Sequence, residues 1–247
     1  MRRFGTLRAR DGFTLMELLV VIAIVAILAG ILFPIFARSR AQGQRAVCLS
    51  NLRQLGTAAQ LYADDNGGLL PAGHDVTHEY GPPASPTYWL HAMEPLLRDV
   101  EVARCPSDPD AAEYLPGRPE TPDPYGGDAW EEPALYSSYL INGIFTDQRP
   151  DGEPERMNAV RHPSDTILFA ERDTKRLSRL GWSNDDDYHP WERATDPKGL
   201  PVYWGPEGGL AATRHSGGSD YLYSDGHVAW RRFSQTYAAG GLNQHLP

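Results

Sequence analysis

The feature that most restricts this chain is a run of sixteen residues, Leu18 to Phe33, without one polar side chain. Taken out to its aromatic borders, Phe13 and Phe36, the segment holds 24 residues, or ~36 Å of helix at ~1.5 Å per residue. That length crosses a hydrocarbon layer of ~30 Å. The apolar content is concentrated here, because the whole chain has a mean hydropathy of −0.46. Two ordinary readings fit imperfectly. A cleaved secretory signal has an apolar core of ~7–15 residues followed by a small-residue cleavage site, whereas this run is longer and ends in Phe33-Pro34-Ile35-Phe36. An uncleaved signal anchor has the right length. Its orientation is almost a tie under the positive-inside rule, since Arg2, Arg3, Arg8 and Arg10 precede the span and Arg38, Arg40 and Arg45 follow it.

One residue separates the readings further. Glu17 places a carboxylate at the start of the apolar span. At the centre of a membrane helix an acid costs ~2.5–3.5 kcal/mol, and such residues are usually functional. Glu17 lies only four residues from the end of the span, so the residues alone leave two accounts open: a carboxylate that snorkels to the interface, or one held there for a purpose.

The stretch Gly12-Phe13-Thr14-Leu15-Met16-Glu17-Leu18-Leu19-Val20-Val21-Ile22-Ala23-Ile24 resembles the processing signature of type IV pilins and type II secretion pseudopilins. That resemblance implies cleavage by prepilin peptidase between Gly12 and Phe13, and N-methylation of the new Phe13 amine. It implies that Glu17, fifth in the mature chain, pairs with the N-terminus of a neighbouring subunit. Physics agrees: a buried carboxylate and a buried ammonium are each costly alone, and paired they offset one another and fix register. It also implies that the basic leader stays cytoplasmic, which resolves the orientation. Asp11 departs from the pattern, standing where a basic residue is commoner. Pro34 lies inside the helical stretch, where proline removes a hydrogen bond and kinks or melts a helix; the family carries a proline in a similar place.

Beyond the membrane, Cys48, Leu52, Leu55, Ala59 and Tyr62 fall on one helical stripe, with Arg45, Asn51, Arg53, Gln54 and Gln60 off it. Asp64-Asp65-Asn66-Gly67-Gly68 is a helix stop. One helix over roughly 14–64 is therefore expected, half in lipid and half packed. The expected divisions are a leader at 1–12, a transmembrane helix at 13–36, its amphipathic continuation at 37–65 and a globular head at 66–247.

The head contributes most of the 21 Pro and 24 Gly, which predicts many loops and short strands. Residues 81–134 read as poor in regular structure. Thr166 to Ala170 reads as a buried strand. Asp225-Gly226 between two β-prone runs predicts a hairpin with strands at about 220–224 and 227–232, both turn residues favouring positive φ. The expected class is α+β: one long helix on a small antiparallel sheet. Arg214-His215, nine residues and then Asp225-Gly226 resembles the C-terminal motif of a large subgroup of prepilin-type proteins. Cys105-Pro106-Ser107-Asp108, Ser138 to Asn142, His162-Pro163-Ser164 and Ala170-Glu171 recur in that subgroup. The motif reads physically as structural, with His215 hydrogen-bonding near the Asp225-Gly226 turn.

The two cysteines, Cys48 and Cys105, form a candidate disulfide in an exported domain, tying the helix to the head. The formal charge of −9 falls to −12 without the leader, whose arginines and Asp11 balance to +3. That argues against nucleic-acid binding, which needs clustered Lys and Arg. Nucleophile elbows, phosphate loops and His-Glu-x-x-His zinc motifs are not found, and no enzymatic activity or cofactor is expected. His74 and His78, four apart beside Asp75 and Glu79, lie in a Pro- and Gly-flanked loop better than on a zinc-binding helix face. Asp185, Asp186 and Asp187 are the calcium candidates, since some pseudopilins hold calcium near the C-terminal end of the head. Asp64 to Gly67 has the start of a calcium loop without the downstream acid.

The expectation that follows is a non-enzymatic subunit of a type II secretion pseudopilus or type IV pilus-like filament. It would sit in the bacterial inner membrane with its head on the periplasmic side. The implied partners are prepilin peptidase, other pseudopilins in a homo- or hetero-filament, an assembly ATPase and an inner-membrane platform protein. The alternative is a membrane-tethered binding or enzymatic head that uses the prepilin N-terminus only for export.

Overall fold

The computed structural model describes residues 14–71, 88–109, 137–146, 154–173, 187–188, 209–237 and 243–246. The chain forms two compact units, Met1–Gln42 and Gly43–Pro247. The boundary lies within the long helix α1, Leu15–Asp65, so most of the amphipathic continuation folds as part of the head.

In the first unit, α1 begins on a capping box. Thr14 Oγ1 accepts from the Glu17 N–H at 3.2 Å, and Glu17 Oε2 accepts from the Thr14 N–H at 2.9 Å. Two of the four orphan N–H groups of the helix terminus are satisfied in this way. Pro34 lies inside α1 without ending it, at the cost of the bond that a donor there would make to Gly30. The large apolar side chains from Leu15 to Phe36 are 49–79% exposed.

In the second unit, α1 lays Cys48, Leu52, Leu55 and Ala59 into the core, as the stripe predicts; its last member, Tyr62, packs against the core only partly buried, and Ala63 beside it is buried instead. Two residues placed off that stripe need correction. Asn51 is buried, because its side-chain amide donates to the Arg104 carbonyl at 2.7 Å. Arg45 turns inward to Asp220. A polar residue can join a buried face when it brings its own partner. The helix ends as read: Gly67 and Gly68 take φ of +65° and +92°, and the Gly68 N–H reaches back to Ala63 O at 2.7 Å, the longer bond of a Schellman motif.

The sheet has five strands, β1 Tyr139–Asn142, β2 Ile167–Glu171, β3 Asp187–Tyr188, β4 Ser219–Tyr223 and β5 Val228–Arg231. Their spatial order is β3-β1-β2-β4-β5. Four strands are antiparallel as expected; the two-residue edge strand β3 pairs parallel with β1. Alternation along the strands divides the core in two. Tyr139, Ile141, Phe169 and Leu222 face α1. Leu140, Ile167, Ala170, Tyr221 and Tyr223 form a second cluster with Tyr188 and Leu210. Gly56 marks the close approach of helix and sheet, since a Cβ there would stand 3.0 Å from both Leu222 methyls.

The β4–β5 hairpin turns differently from the prediction. Asp225 does not take positive φ; Gly226 alone does, at +88°. The Gly226 N–H bonds to Tyr223 O at 2.9 Å and Tyr223 N–H to His227 O at 2.9 Å. The loop is thus one residue longer than a two-residue primed turn and closes with a glycine bulge. Asp225 instead caps the turn through its side chain, accepting the His227 N–H at 3.0 Å. The region 81–134 also contains more regular structure than its prolines suggest: α2, Tyr88–Met93, and two 3₁₀ turns, Glu94–Leu96 and Val100–Ala103. Burial of Trp89, Leu90 and Met93 stabilises α2, with the Trp89 ring 4.9 Å from Phe169.

Candidate functional site

Two places in the chain gather the predicted residues. The first is the start of α1. Gly12 and Phe13, the predicted processing pair, lie outside the described residues. Glu17 is described, and its carboxylate is bound within its own chain. Besides the Thr14 N–H, Glu17 Oε2 accepts the Thr14 hydroxyl at 2.7 Å. The Thr14-x-x-Glu17 spacing is itself a capping-box signature that a reading focused on the membrane passes over. A carboxylate at a helix N-terminus also meets the positive end of the helix dipole. Glu17 therefore has a local reason to be where it is. Behind it the helix shows only apolar surface over residues 18–36, ~28 Å of helix length. Lipid or other apolar helices must cover such a surface.

The second place is a buried polar cluster in the head, and it collects residues scattered through the sequence. Cys48 and Cys105 are disulfide-bonded, with their Cα atoms 5.0 Å apart, so α1 is covalently tied to the segment before β1. Glu171, the last residue of β2, is fully buried. Its Oε1 lies 2.7 Å from His215 Nε2, and its Oε2 accepts the Asp220 N–H at 3.0 Å. Cys105 Sγ is 3.6 Å from Glu171 Oε1 and 3.7 Å from His215 Nε2; a disulfide sulfur has no hydrogen to donate, so these are packing contacts. Asp220, at the start of β4, receives Arg45 Nη2 at 3.0 Å and Arg45 Nε at 3.2 Å. Burial pushes the Asp220 carboxyl up from its ordinary range, and the Arg45 hydrogen bonds pull it back. Arg214 is buried beside the cluster: it pairs with Asp108 at 3.3 Å and donates to the carbonyls of Ser138 and Arg172.

His215 is thus corrected in its partner. It does not bond near the Asp225-Gly226 turn; its ring is held by Glu171 and its carbonyl accepts Trp230 Nε1–H at 2.7 Å. Asp225 is taken by His227, whose Nδ1 lies 2.6 Å from its carboxylate. The turn does join another of the quoted patches, because Asp225 N–H and Ser224 Oγ donate to Pro163 O at 3.2 and 3.1 Å. Asn142, the last residue of another patch, donates to the carbonyls of Ile167 and His245, each at 2.7 Å. His245 itself is fully buried between Tyr188 OH at 2.8 Å and Thr236 Oγ1 at 3.2 Å. Burial pushes its imidazole down to about 3.

The calcium candidates Asp185 and Asp186 lie outside the described residues, as do His74 and His78; Asp187 is described only as backbone of β3. Asp65 ends α1 and Gly67 begins the Schellman turn that follows.

Residues 7–33 match the family model described as the prokaryotic N-terminal methylation motif, consistent with a prepilin-like protein. No curated protein and no solved structure matches the chain. The motif is consistent with a prepilin-like N-terminus, and among the described residues α1 is the one helix long and apolar enough to cross a membrane.

Proposed function

We propose that the chain is a structural subunit of a type II secretion pseudopilus or type IV pilus-like filament, cut after Gly12 by prepilin peptidase and methylated on Phe13. The observation that carries this reading is the juxtaposition at the start of α1: a carboxylate at residue 17, then a helix whose large apolar side chains remain exposed from Leu15 to Phe36. In the bilayer, lipid covers that surface. In a filament, the same helices from neighbouring subunits cover one another by close packing, and the heads form the outer coat. Glu17 then has a second task beyond capping its own helix: its carboxylate offsets the amine of an adjacent Phe13. The head sits on the periplasmic side of the inner membrane. An assembly ATPase and a platform protein supply the energy and the base, and the subunit itself turns nothing over.

Two measurements test the reading. Intact mass and N-terminal sequence of protein from its native membrane should show a chain starting at methylated Phe13. A chain still carrying residues 1–12 would remove the mature-pilin premise. Glu17→Ala should leave the protein in the membrane but absent from sheared filaments. Normal incorporation of that variant would defeat the assembly role of Glu17 and favour a tethered head that uses the N-terminus only for export.

A further inference from the structure

The cluster around the disulfide holds the donor set of a metal site. One ligand atom from each of Cys48, Cys105, Glu171 and His215 lies within 4.8 Å of all the others, and all four residues are buried. The set comes from four separate places: the helix α1, the segment after the 3₁₀ turn Val100–Ala103, the end of β2 and the turn before β4. Two thiolates, an imidazole and a carboxylate are the ligand types zinc takes, at ~2.3 Å for sulfur and ~2.0–2.2 Å for nitrogen and oxygen. A tetrahedron with those bond lengths has sulfur-to-nitrogen and sulfur-to-oxygen edges of ~3.5 Å. Cys105 Sγ already stands 3.7 Å from His215 Nε2 and 3.6 Å from Glu171 Oε1. The outer shell is also built. Glu171 Oε2 is fixed by the Asp220 N–H, and the Asp220 carboxylate is held by Arg45; such groups orient ligands in zinc sites.

We propose that these four side chains form a zinc-class site that the disulfide keeps closed, and that reduction of the bridge by a dithiol opens it to one divalent, thiophilic cation. The step balances. The dithiol gives two electrons and two protons, becomes a cyclic disulfide, and leaves Cys48 and Cys105 as thiols. Cation binding sends both thiol protons to solvent. His215 Nε2 must be free of hydrogen to bind the cation, so a hydrogen it shares with Glu171 Oε1, 2.7 Å away, leaves that nitrogen for Nδ1 or solvent. A divalent cation offsets the two thiolates that bind it, so the site has the same net charge with the cation and two thiolates as with the disulfide, and the neighbouring ion pairs Arg45–Asp220 and Arg214–Asp108 meet no added charge.

The test uses the full-length chain in detergent micelles, reduced with dithiothreitol under denaturant and refolded without oxygen, with cobalt(II), with zinc(II) or with chelator. The reduced chain should bind one cobalt per molecule. The spectrum should combine a thiolate-to-cobalt charge-transfer band in the near ultraviolet with the intense visible bands of tetrahedral cobalt, and zinc should abolish it. Zinc should slow alkylation of Cys48 and Cys105 by iodoacetamide at least ~10-fold, and Glu171→Gln should lower cobalt affinity by a similar factor. The oxidised chain should show none of these effects. If the reduced chain unfolds without metal, zinc should restore its circular dichroism, because metal binding and folding are then one equilibrium. A reduced chain that neither binds cobalt through sulfur nor gains alkylation protection from zinc overturns the proposal. So does an oxidised chain that gives the same cobalt spectrum.

Discussion

Replacing Arg45 by Met isolates what the helix-to-sheet ion pair contributes. Asp220 is fully buried; Arg45 reaches it with contacts at 3.0, 3.2 and 3.3 Å and a side chain 36% exposed, and His215 Nε2 lies farther off at 3.7 Å. Breaking a fully buried pair costs ~3–5 kcal/mol and an exposed one ~0–1 kcal/mol. With one partner a third exposed, the deficit should be about 2 kcal/mol at neutral pH. It should also depend on pH in a definite sense. Burial already holds the Asp220 carboxyl above 3.8, its ordinary value, and Arg45 opposes that rise. In the variant only the smaller opposition from His215 remains. A carboxyl raised in the folded state costs nothing below its unfolded value and costs progressively more as pH rises through its folded value. The Arg45→Met deficit should therefore be largest near pH 8 and shrink towards pH 4. Adding Asp220→Asn should recover most of it, because an amide needs no counter-charge. Urea unfolding of the full chain in micelles, followed by tryptophan fluorescence, gives all four corners of the double-mutant cycle. Arg45 also lies over the Trp230 ring, 5.8 Å from its centroid. If lost packing there caused the deficit, the wild-type and Arg45→Met curves would run parallel across pH, and the charge argument would be falsified.

Three other perturbations follow from the same geometry. Serine at both Cys48 and Cys105 opens a loop with a sequence separation of 57, for which chain entropy gives ~4 kcal/mol of lost stability; a loss below ~1 kcal/mol in urea unfolding would show the bridge to be redundant. His245 is held neutral by burial, its pKa pushed from 6.5 to about 3, so its contribution is complete above pH 6.5 and declines as pH falls from there towards 3. His245→Gln should flatten the stability profile across that window by on the order of 5 kcal/mol, and an unchanged slope would contradict the assignment. Gly226→Ala meets no atom within 4 Å but inherits a φ of +88°, so it should cost ~1 kcal/mol from the backbone alone. Gly218→Ala should cost considerably more, because its Cβ would stand 2.5 Å from Arg231 O; thermal unfolding that ranked the two variants the other way would refute both arguments.

The sequence revealed what depends on neighbours in the chain. The apolar run, the stripe from Cys48, the glycine stop at Gly67 and the β4–β5 hairpin are local patterns of period and turn chemistry, and the structure has each of them. Contacts between distant residues were harder to read. Asn51 and Arg45 look like surface residues because nothing near them in sequence announces Arg104 O or Asp220, separated from them by 53 and 175 positions. His215 was drawn towards Asp225 by sequence proximity; its actual partner, Glu171, comes from a different strand. The Asp225-Gly226 pair signalled a turn correctly but not its length, since a glycine bulge and a primed two-residue turn share the same dipeptide. The Thr14–Glu17 box was legible and overlooked, because the membrane cost of an acid is the more conspicuous property of Glu17.

Several directional links between α1 and the rest of the head lie close together on the helix. Gln44 to Pro106 O at 3.1 Å, Arg45 to Asp220, the Cys48–Cys105 bond and Asn51 to Arg104 O all fall within residues 44–51. From Leu52 to Ala63 the helix adds apolar contact through Leu52, Leu55, Ala58, Ala59 and Ala63, with Gly56 against Leu222. The two kinds of contact resist force differently. Apolar packing is non-directional and permits sliding at modest cost. A covalent bond, a bidentate ion pair and directed hydrogen bonds fix position along the helix. In a subunit moved by its N-terminal helix, a load passed along the chain reaches residues 44–51 before the apolar face. The directional ties thus occupy the stretch where shear would begin, and Cys105, Arg104 and Pro106 gather three of them onto one short segment. On this reading the disulfide and its polar surroundings serve the mechanical role proposed for the chain: they keep the head in register with the helix that carries it.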